Sequence, residues 1–347
     1  EAYMRKCIDS LLAGGEDVEI VIVNDGSKDA TGSIADEYAA AHPDICRAVH
    51  QENGGHGEGV NQGIRHATGL YYKVVDSDDR VDADALRAVL DTIKAHLAAN
   101  DLPDLYITDF VYDHAEDGTT FTRSYKKNMP TGRMFGWKDV KRFRGSSTLL
   151  MHSLMYRTEV LRECGLELPK HTFYVDNIFA YVPLPYVKKM YYLPVPLYWY
   201  FIGRNDQSVN MAVFAKRTEQ QNRVMRIMAE SHDLNEIKKT EPQLAKYMFH
   251  TLACLMIVTL TFTLAEPTKE KYAALDALWA DIKAKDKKLY SRLKYRAYPA
   301  LYTYFPRPDR PFHHTDGLQG DREKGQARLT ESVRAARRCT RSDTIRK

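Results

Sequence analysis

Over roughly its first 110 residues the chain alternates short apolar runs with amphipathic stretches at a steady pace. That rhythm constrains the fold more than any other feature. A helix over 2–13 leads to a strand at Val18–Val23, a helix near Ala30–Ala41 and a short strand at Cys46–His50. A helix near Glu58–Ala67, a strand at Tyr71–Val75, a helix over Ala83–Ala98 and a strand at Asp104–Phe110 follow. Strands alternating with helices of this length imply βαβ units with right-handed crossovers. The expected architecture is a layered α/β/α sandwich around a mainly parallel central sheet.

From about Thr119 the rhythm breaks. Thr119–Tyr125 reads as a strand, Trp137–Phe143 as a short helix and Thr148–Tyr156 as an apolar segment. Lys189–Leu193 and Leu197–Ile202 read as two aromatic strands divided by Pro194 and Pro196. After Met211 the pattern is helical, through 217–230, 243–264 and 269–283, so a boundary is placed near 210. Residues 1–210 form an α/β domain, 211–305 a helical C-terminal region and 306–347 a disordered basic tail. Tyr247–Ala265 carries no formal charge over 19 residues, about the length that spans a bilayer. Four threonines and His250 lie in it, and a buried helix of a C-terminal bundle is the expectation.

Charge and cysteine content exclude several classes. The tail from Arg307 to Lys347 holds 11 Lys/Arg against 6 Asp/Glu, a surplus larger than the whole chain's net +4, which leaves the body at −1. A near-neutral body argues against a nucleic-acid-binding face. Peripheral contact with anionic lipid is compatible with the tail's charge, although a solvated tail is expected. Five cysteines without metal-ligand spacing or pairing indicate a reducing compartment, and a cytoplasmic location is expected. The chain opens without Met and directly on a helical pattern, so an element upstream of it is expected.

The strand Tyr71–Val75 ends abruptly in Asp76, Ser77, Asp78 and Asp79. Three carboxylates within four residues repel one another unless a cation sits among them, and Mg²⁺ or Mn²⁺ with oxygen ligands is the natural candidate. Carboxyl ends of strands in open α/β sheets are also where ligands bind. The competing explanation is an Asp-rich turn in which Asp79 or Asp82 caps the helix starting near Ala83. Val18–Val23 similarly ends in Asn24-Asp25-Gly26-Ser27-Lys28-Asp29-Ala30-Thr31, where capping accounts for most of the pattern and Asp25 could accept from a nucleobase or ribose. Between them lies Asn53-Gly54-Gly55-His56-Gly57-Glu58-Gly59-Val60-Asn61. It fails as a dinucleotide fingerprint in either register, because Val60 or Gln62 stands at the third glycine. A lone His56 is more often structural than catalytic.

These three motifs, in this order and spacing, resemble the family 2 glycosyltransferases of the GT-A fold. The likeness is strong over about 1–110 and extends more faintly to Phe173–Phe179 and Gly203–Ser208. The resemblance implies that Asp25 faces the nucleobase of a sugar nucleotide, that Asp76 lies near its ribose and that Asn61 belongs to the donor site. It places the divalent metal on Asp78, the catalytic base at Asp176 and a diphosphate contact at Arg204. Asp176 read alone would be a helix N-cap, and Arg204 a surface residue. Two departures stand out: the apolar strand that relatives carry before the first helix is absent, and Val60 replaces a common arginine.

The resulting expectation is an inverting, metal-dependent glycosyltransferase of bacterial cell-surface polysaccharide or glycoconjugate synthesis. It would take a UDP-linked sugar donor and a glycan or lipid-linked acceptor, with no nucleic acid, at the inner face of the membrane or in the cytoplasm. The rivals are a nucleotidyltransferase, which should show a basic Gly-rich phosphate loop, and a non-catalytic sugar-nucleotide or glycan-binding protein of the same fold.

Overall fold

The computed structural model describes residues 1–114, 117–202, 216–295 and 297. The helix α1 (Met4–Leu12) precedes β1 (Ile20–Asp25), α2 (Thr31–Ala41), β2 (Cys46–Gln51) and α3 (His56–His66). Then come β3 (Tyr71–Tyr72), β4 (Arg80–Val81), α4 (Ala83–Ala98), β5 (Leu105–His114), β6 (Thr120–Arg123) and β7 (Met134–Phe135). β8 (Leu154–Arg157), α5 (Thr158–Glu163), α6 (Asp176–Tyr181) and β9 (Met190–Ile202) complete the α/β part. The helices α7 (Thr218–Ser231), α8 (Leu234–Thr240), α9 (Pro242–Ala265), α10 (Lys269–Lys285) and α11 (Lys287–Tyr295) follow.

The chain divides into two compact units. One comprises Glu1–Arg142, Leu149–Gln207 and Leu234–Met248; the other comprises Phe143–Thr148, Ser208–Asp233 and Phe249–Lys347. The cut near 207 lies close to the boundary read at 210, but α8 and the start of α9 go with the first unit. The tail after 306 and the segment containing Arg204 lie outside the described residues.

In the first unit the α/β class holds, with a mixed sheet in place of the mainly parallel one expected. β1 and β2 pair in parallel as a two-stranded sheet, while the seven-stranded sheet runs β3-β8-β5-β9-β4 with β6 on β5 and β7 on β9. Within that larger sheet only β5–β9 is parallel. The strand read at Tyr71–Val75 pairs only through Tyr71 and Tyr72, which face Arg157 and Tyr156 of β8. α1 and α2 cover β1–β2 with Ile8, Ile34, Ala35 and Tyr38 around Ile20 and Cys46. α4 packs Ala85, Leu86 and Val89 against Tyr106 and Leu197.

Pro194 and Pro196 do not divide two strands; both lie inside β9. Thr108 pairs with Leu193, Asp109 with Pro196 and Phe110 with Tyr198, so the register shifts on either side of Asp109. Proline cannot donate to a ladder and is tolerated at bulges. The bulge takes up three extra residues of β9. An odd number changes which residues share a face, bringing Tyr198 opposite Phe110 and Tyr200 opposite Tyr112.

In the second unit, α7, α10 and α11 bury Val224, Met225, Met228, Leu278, Ile282 and Leu293. Gln221 donates to the buried Thr259 hydroxyl at 3.1 Å, and Arg226 pairs with Asp281 at 2.8 Å. By length and composition α9 could cross a membrane, with mean hydropathy 1.9 in its most apolar window, and half of that window is buried inside the protein.

Candidate active site

The acidic turn is not needed to cap α4. Asp82 does that, its carboxylate accepting from the Ala85 N–H at 2.9 Å. Asp76, Asp78 and Asp79 therefore remain to be explained. The Asp79 N–H donates to the Asp76 carbonyl at 2.9 Å and closes the turn, with Ser77 and Asp78 at its tip. Asp79 is buried; its oxygens accept from the Phe201 N–H at 2.8 Å and the Tyr198 hydroxyl at 2.5 Å. β9 thus holds the turn by side chain and backbone together. Tyr198 also donates to Asp76, at 3.4 Å. Burial, then the neighbouring charge of Asp76, pushes the Asp79 carboxyl up to about 8.

His152 approaches from the turn Met151–Ser153 just before β8. It stacks on Tyr198 with 4.7 Å between ring centroids. Burial lowers its pKa to about 4, so it is the neutral imidazole that faces the site. Its Nδ1 is buried without a hydrogen-bond partner. Among the described residues, Asp76, Asp79 and His152 form a group whose ligand atoms all lie within 4.8 Å of one another. Two carboxylates and a neutral imidazole with an orphaned nitrogen suit a divalent cation such as Mn²⁺ or Mg²⁺. Asp78, the expected ligand, is outside this triad, half-buried at the tip of the same turn.

His56, at the start of α3, meets this cluster at Asp76, and Asp176 is near enough to act on it electrostatically. Its Nε2 lies 2.9 Å from Asp76 Oδ1. Burial disfavours its charged form, but Asp76, Asp176 and Asp78 outweigh that and raise its pKa to about 9. Asp76 itself is held down to about 2: burial opposes ionisation, and His56 overcomes it. Asp176 is the first residue of α6, with Val175 at the cap position and no side-chain cap, so the capping role that its sequence suggested is not the one it plays. Burial raises the pKa of its carboxyl, with His56 opposing. Tyr174, two residues before it, has φ +65°, a conformation rare for a bulky side chain and frequent at functional sites.

Asp25 and Asn61 stand elsewhere in this geometry. Asp25 Oδ1 accepts from Gln51 Nε2 at 2.6 Å and the Gly54 N–H at 2.7 Å; Oδ2 accepts from the Gly55 N–H at 2.8 Å and Asn53 Nδ2 at 3.3 Å. Four bonds fill a carboxylate. The carboxylate expected to face a nucleobase instead clamps the glycine segment, a role open to it because Gly26 turns the chain at φ +67° with Asn53 N only 2.7 Å from where a Cβ would sit. Asn61, expected at the donor, is buried; it exchanges bonds with Leu168 (2.9 Å each way) and docks α3 on the segment leading to Asp176. Close approach there requires Gly57, whose Cβ would lie 2.7 Å from the Pro169 carbonyl.

The sequence offered no local sign of His152 or Tyr198, which reach the turn from far along the chain. Lys73 did leave a trace, as a lysine inside an apolar run three residues before Asp76. Its Nζ donates to the His152 carbonyl at 2.6 Å and lies over the Tyr198 ring. Burial depresses its pKa to about 7.

Residues 1–163 match the family described as glycosyl transferase family 2. Over that stretch the chain is similar to the family 2 glycosyltransferases. EpsH of Bacillus subtilis (strain 168), described as a glycosyltransferase, is 30% identical over 208 residues, 58% of this chain and 58% of that protein. The chain thus spans little more than half of EpsH. GgaB of the same organism, a minor teichoic acid biosynthesis protein, is 31% identical over 99 residues, 28% of this chain and 11% of GgaB. Among solved structures, S. aureus TarS 1-349 superposes with a TM-score of 0.60 at 18% identity, covering 84% of this chain and 82% of that one. The same TarS fragment in complex with UDP-GlcNAc gives 0.61 at 17% identity, covering 85% and 83%. At these identities the likeness extends the shared fold beyond residue 163 and says nothing further.

Proposed function

We propose that the protein transfers a sugar, with inversion, from a UDP-linked donor to a hydroxyl of a glycan or lipid-linked acceptor in cell-surface polysaccharide or teichoic-acid-like synthesis. The observation that carries this reading is the convergence of the acidic turn and Asp176 on His56, in a chain similar to the family 2 glycosyltransferases. GgaB's described role and the UDP-GlcNAc complex of TarS support the acceptor and donor classes. Asp76, Asp79 and His152, with Asp78 at the tip of the same turn, would hold a divalent cation. When bound, that cation neutralises charge on a leaving diphosphate.

The chain's own residues do the rest. Asp176 takes the proton of the acceptor hydroxyl as it attacks the anomeric carbon; its raised pKa and the neighbouring His56 suit a group that must both gain and release a proton. Asp25 serves the donor indirectly, by fixing the glycine segment that opens α3 and carries His56. Arg204 remains a proposed diphosphate contact. The work would be done in the cytoplasm or at the inner membrane face.

Calorimetric titration with UDP, with and without Mn²⁺, tests the donor site. Wild type should bind UDP in a metal-dependent way, and Asp78→Ala and His152→Ala, measured separately, report which side chains hold the cation. UDP binding that is unchanged in both variants and indifferent to chelator removes the metal from the mechanism. No UDP binding at all overturns the donor assignment.

A further inference from the structure

Beside the carboxylate cluster begins a line of aromatic rings that neither the donor site nor the proton transfer uses. His152 lies 4.5 Å from Tyr200 between ring centroids, Tyr200 5.9 Å from Tyr112, and Tyr112 6.3 Å from Phe121. The register explains why they share a face. Tyr200 is opposite Tyr112 across the β5–β9 pair, and Tyr112 is opposite Phe121 across β5–β6. This alignment depends on the bulge at Pro194–Pro196.

Burial changes along the line. Phe110 and Tyr198, next to the carboxylates, are fully buried, whereas Tyr200, Tyr112 and Phe121 are half-exposed. The line therefore leaves the core at the candidate active site and emerges along the β5–β6 hairpin. Its inner end touches the candidate cation site through the His152 ring. Exposed Thr120 and Thr122 flank Phe121 with hydroxyls.

We propose that Tyr200, Tyr112 and Phe121 form the acceptor track, on which successive pyranose rings of a glycan stack as the chain's end is presented to Asp176. This rests on the glycosyltransferase reading and adds the acceptor's path to it. A pyranose has an apolar C–H face and a hydroxylated edge. An aromatic face, with its negative quadrupole, takes the first, and polar side chains at the rim take the second. Continuity with the candidate active site selects this occupant, because the acceptor is the reactant that must extend away from it. Cross-strand pairing of aromatic residues stabilises hairpins by itself, so the test must separate a binding role from a structural one.

The experiment is binding of the full chain to an array of neutral, amino and uronic-acid pyranose oligomers, alongside calorimetric binding of UDP with Mn²⁺. Wild type should bind at least one oligomer, and a Tyr112→Leu/Phe121→Leu variant, which fills the same space without a ring face, should bind it about tenfold more weakly. Tyr112→Phe and Phe121→Tyr should restore wild-type binding. UDP affinity should be unchanged in all of them, measured well below each variant's melting temperature, which in the leucine variant falls by a few degrees at most. An oligomer bound equally by the leucine variant, or no oligomer bound by a wild type that binds UDP, overturns the track and leaves the donor reading standing. Ring-dependent glycan binding by a chain that ignores UDP supports the track and overturns the donor reading.

Discussion

A carboxylate at the start of a helix either caps it or is available for something else, and this chain has both kinds. Asp82 accepts from the Ala85 N–H and caps α4. Asp176 opens α6 from the position after the cap, and has its ionisation opposed by burial. The two should respond oppositely to mutation. Asp176→Asn keeps the size of the side chain but cannot take a proton, so turnover should fall by about 10²–10⁴-fold while UDP affinity and melting temperature hold. Asp82→Ala should instead cost about 1 kcal/mol of stability and leave turnover per folded molecule intact. Near-normal turnover in Asp176→Asn would move the base elsewhere. The acidic turn was legible in the sequence because mutual repulsion within four residues is a local property. His152 and Tyr198 were not: each is unremarkable in its own run and acquires meaning only through contacts far along the chain, as in the Tyr198–Asp79 bond, 119 positions apart. Asp25 and Asn61 were legible as important, but their partners within the protein were not, since a motif does not reveal which backbone N–H groups its side chains will bond.

β9 shows the same division at the level of elements. Its composition identified strand on both sides of Pro194 and Pro196, but whether prolines end a strand or sit in a bulge depends on the neighbour, and β5 supplies the alternative pairing. At the bulge Asp109 is buried, accepting from the Tyr192 hydroxyl at 2.5 Å. Burial raises its pKa, with that hydroxyl opposing. A carboxyl whose folded pKa is raised stabilises the protein fully below the unfolded value, here 3.8, and loses that contribution as pH rises through the folded one. Asp109→Asn does not titrate. In urea titrations, the stability of wild type relative to Asp109→Asn should therefore decline from acid pH toward neutrality. A relative stability that is flat or rises with pH would mean that Asp109 is ionised without penalty, and that the bulge is wetter than the structure indicates. The sheet came out mixed where a mainly parallel one was expected because helix–strand alternation was readable, whereas the direction and offset of each pairing are long-range choices.

For the molecule as a whole, the division into two units assigns the chemistry to one of them. Asp76, Asp79, His152, His56, Asp176 and the aromatic line all belong to the unit containing Glu1–Arg142 and Leu149–Gln207. A ligand that binds only the folded form protects the backbone that it orders. Hydrogen exchange with UDP and Mn²⁺ present should therefore slow most in three stretches: the turn 76–79, the glycine segment 53–57 and the approach to Asp176 at 171–176. Each has a mechanical reason to respond. The turn carries the candidate ligands, the glycine segment carries His56, and the approach contains two residues at positive φ, His171 and Tyr174, whose backbone is held against its preference. The helices Thr218–Ser231 and Lys269–Lys285 of the other unit should exchange at nearly the same rate with or without ligand. Protection concentrated in those helices, with the three stretches unaffected, would put the donor outside the carboxylate cluster and dissolve the mechanism built on it, even with the fold unchanged.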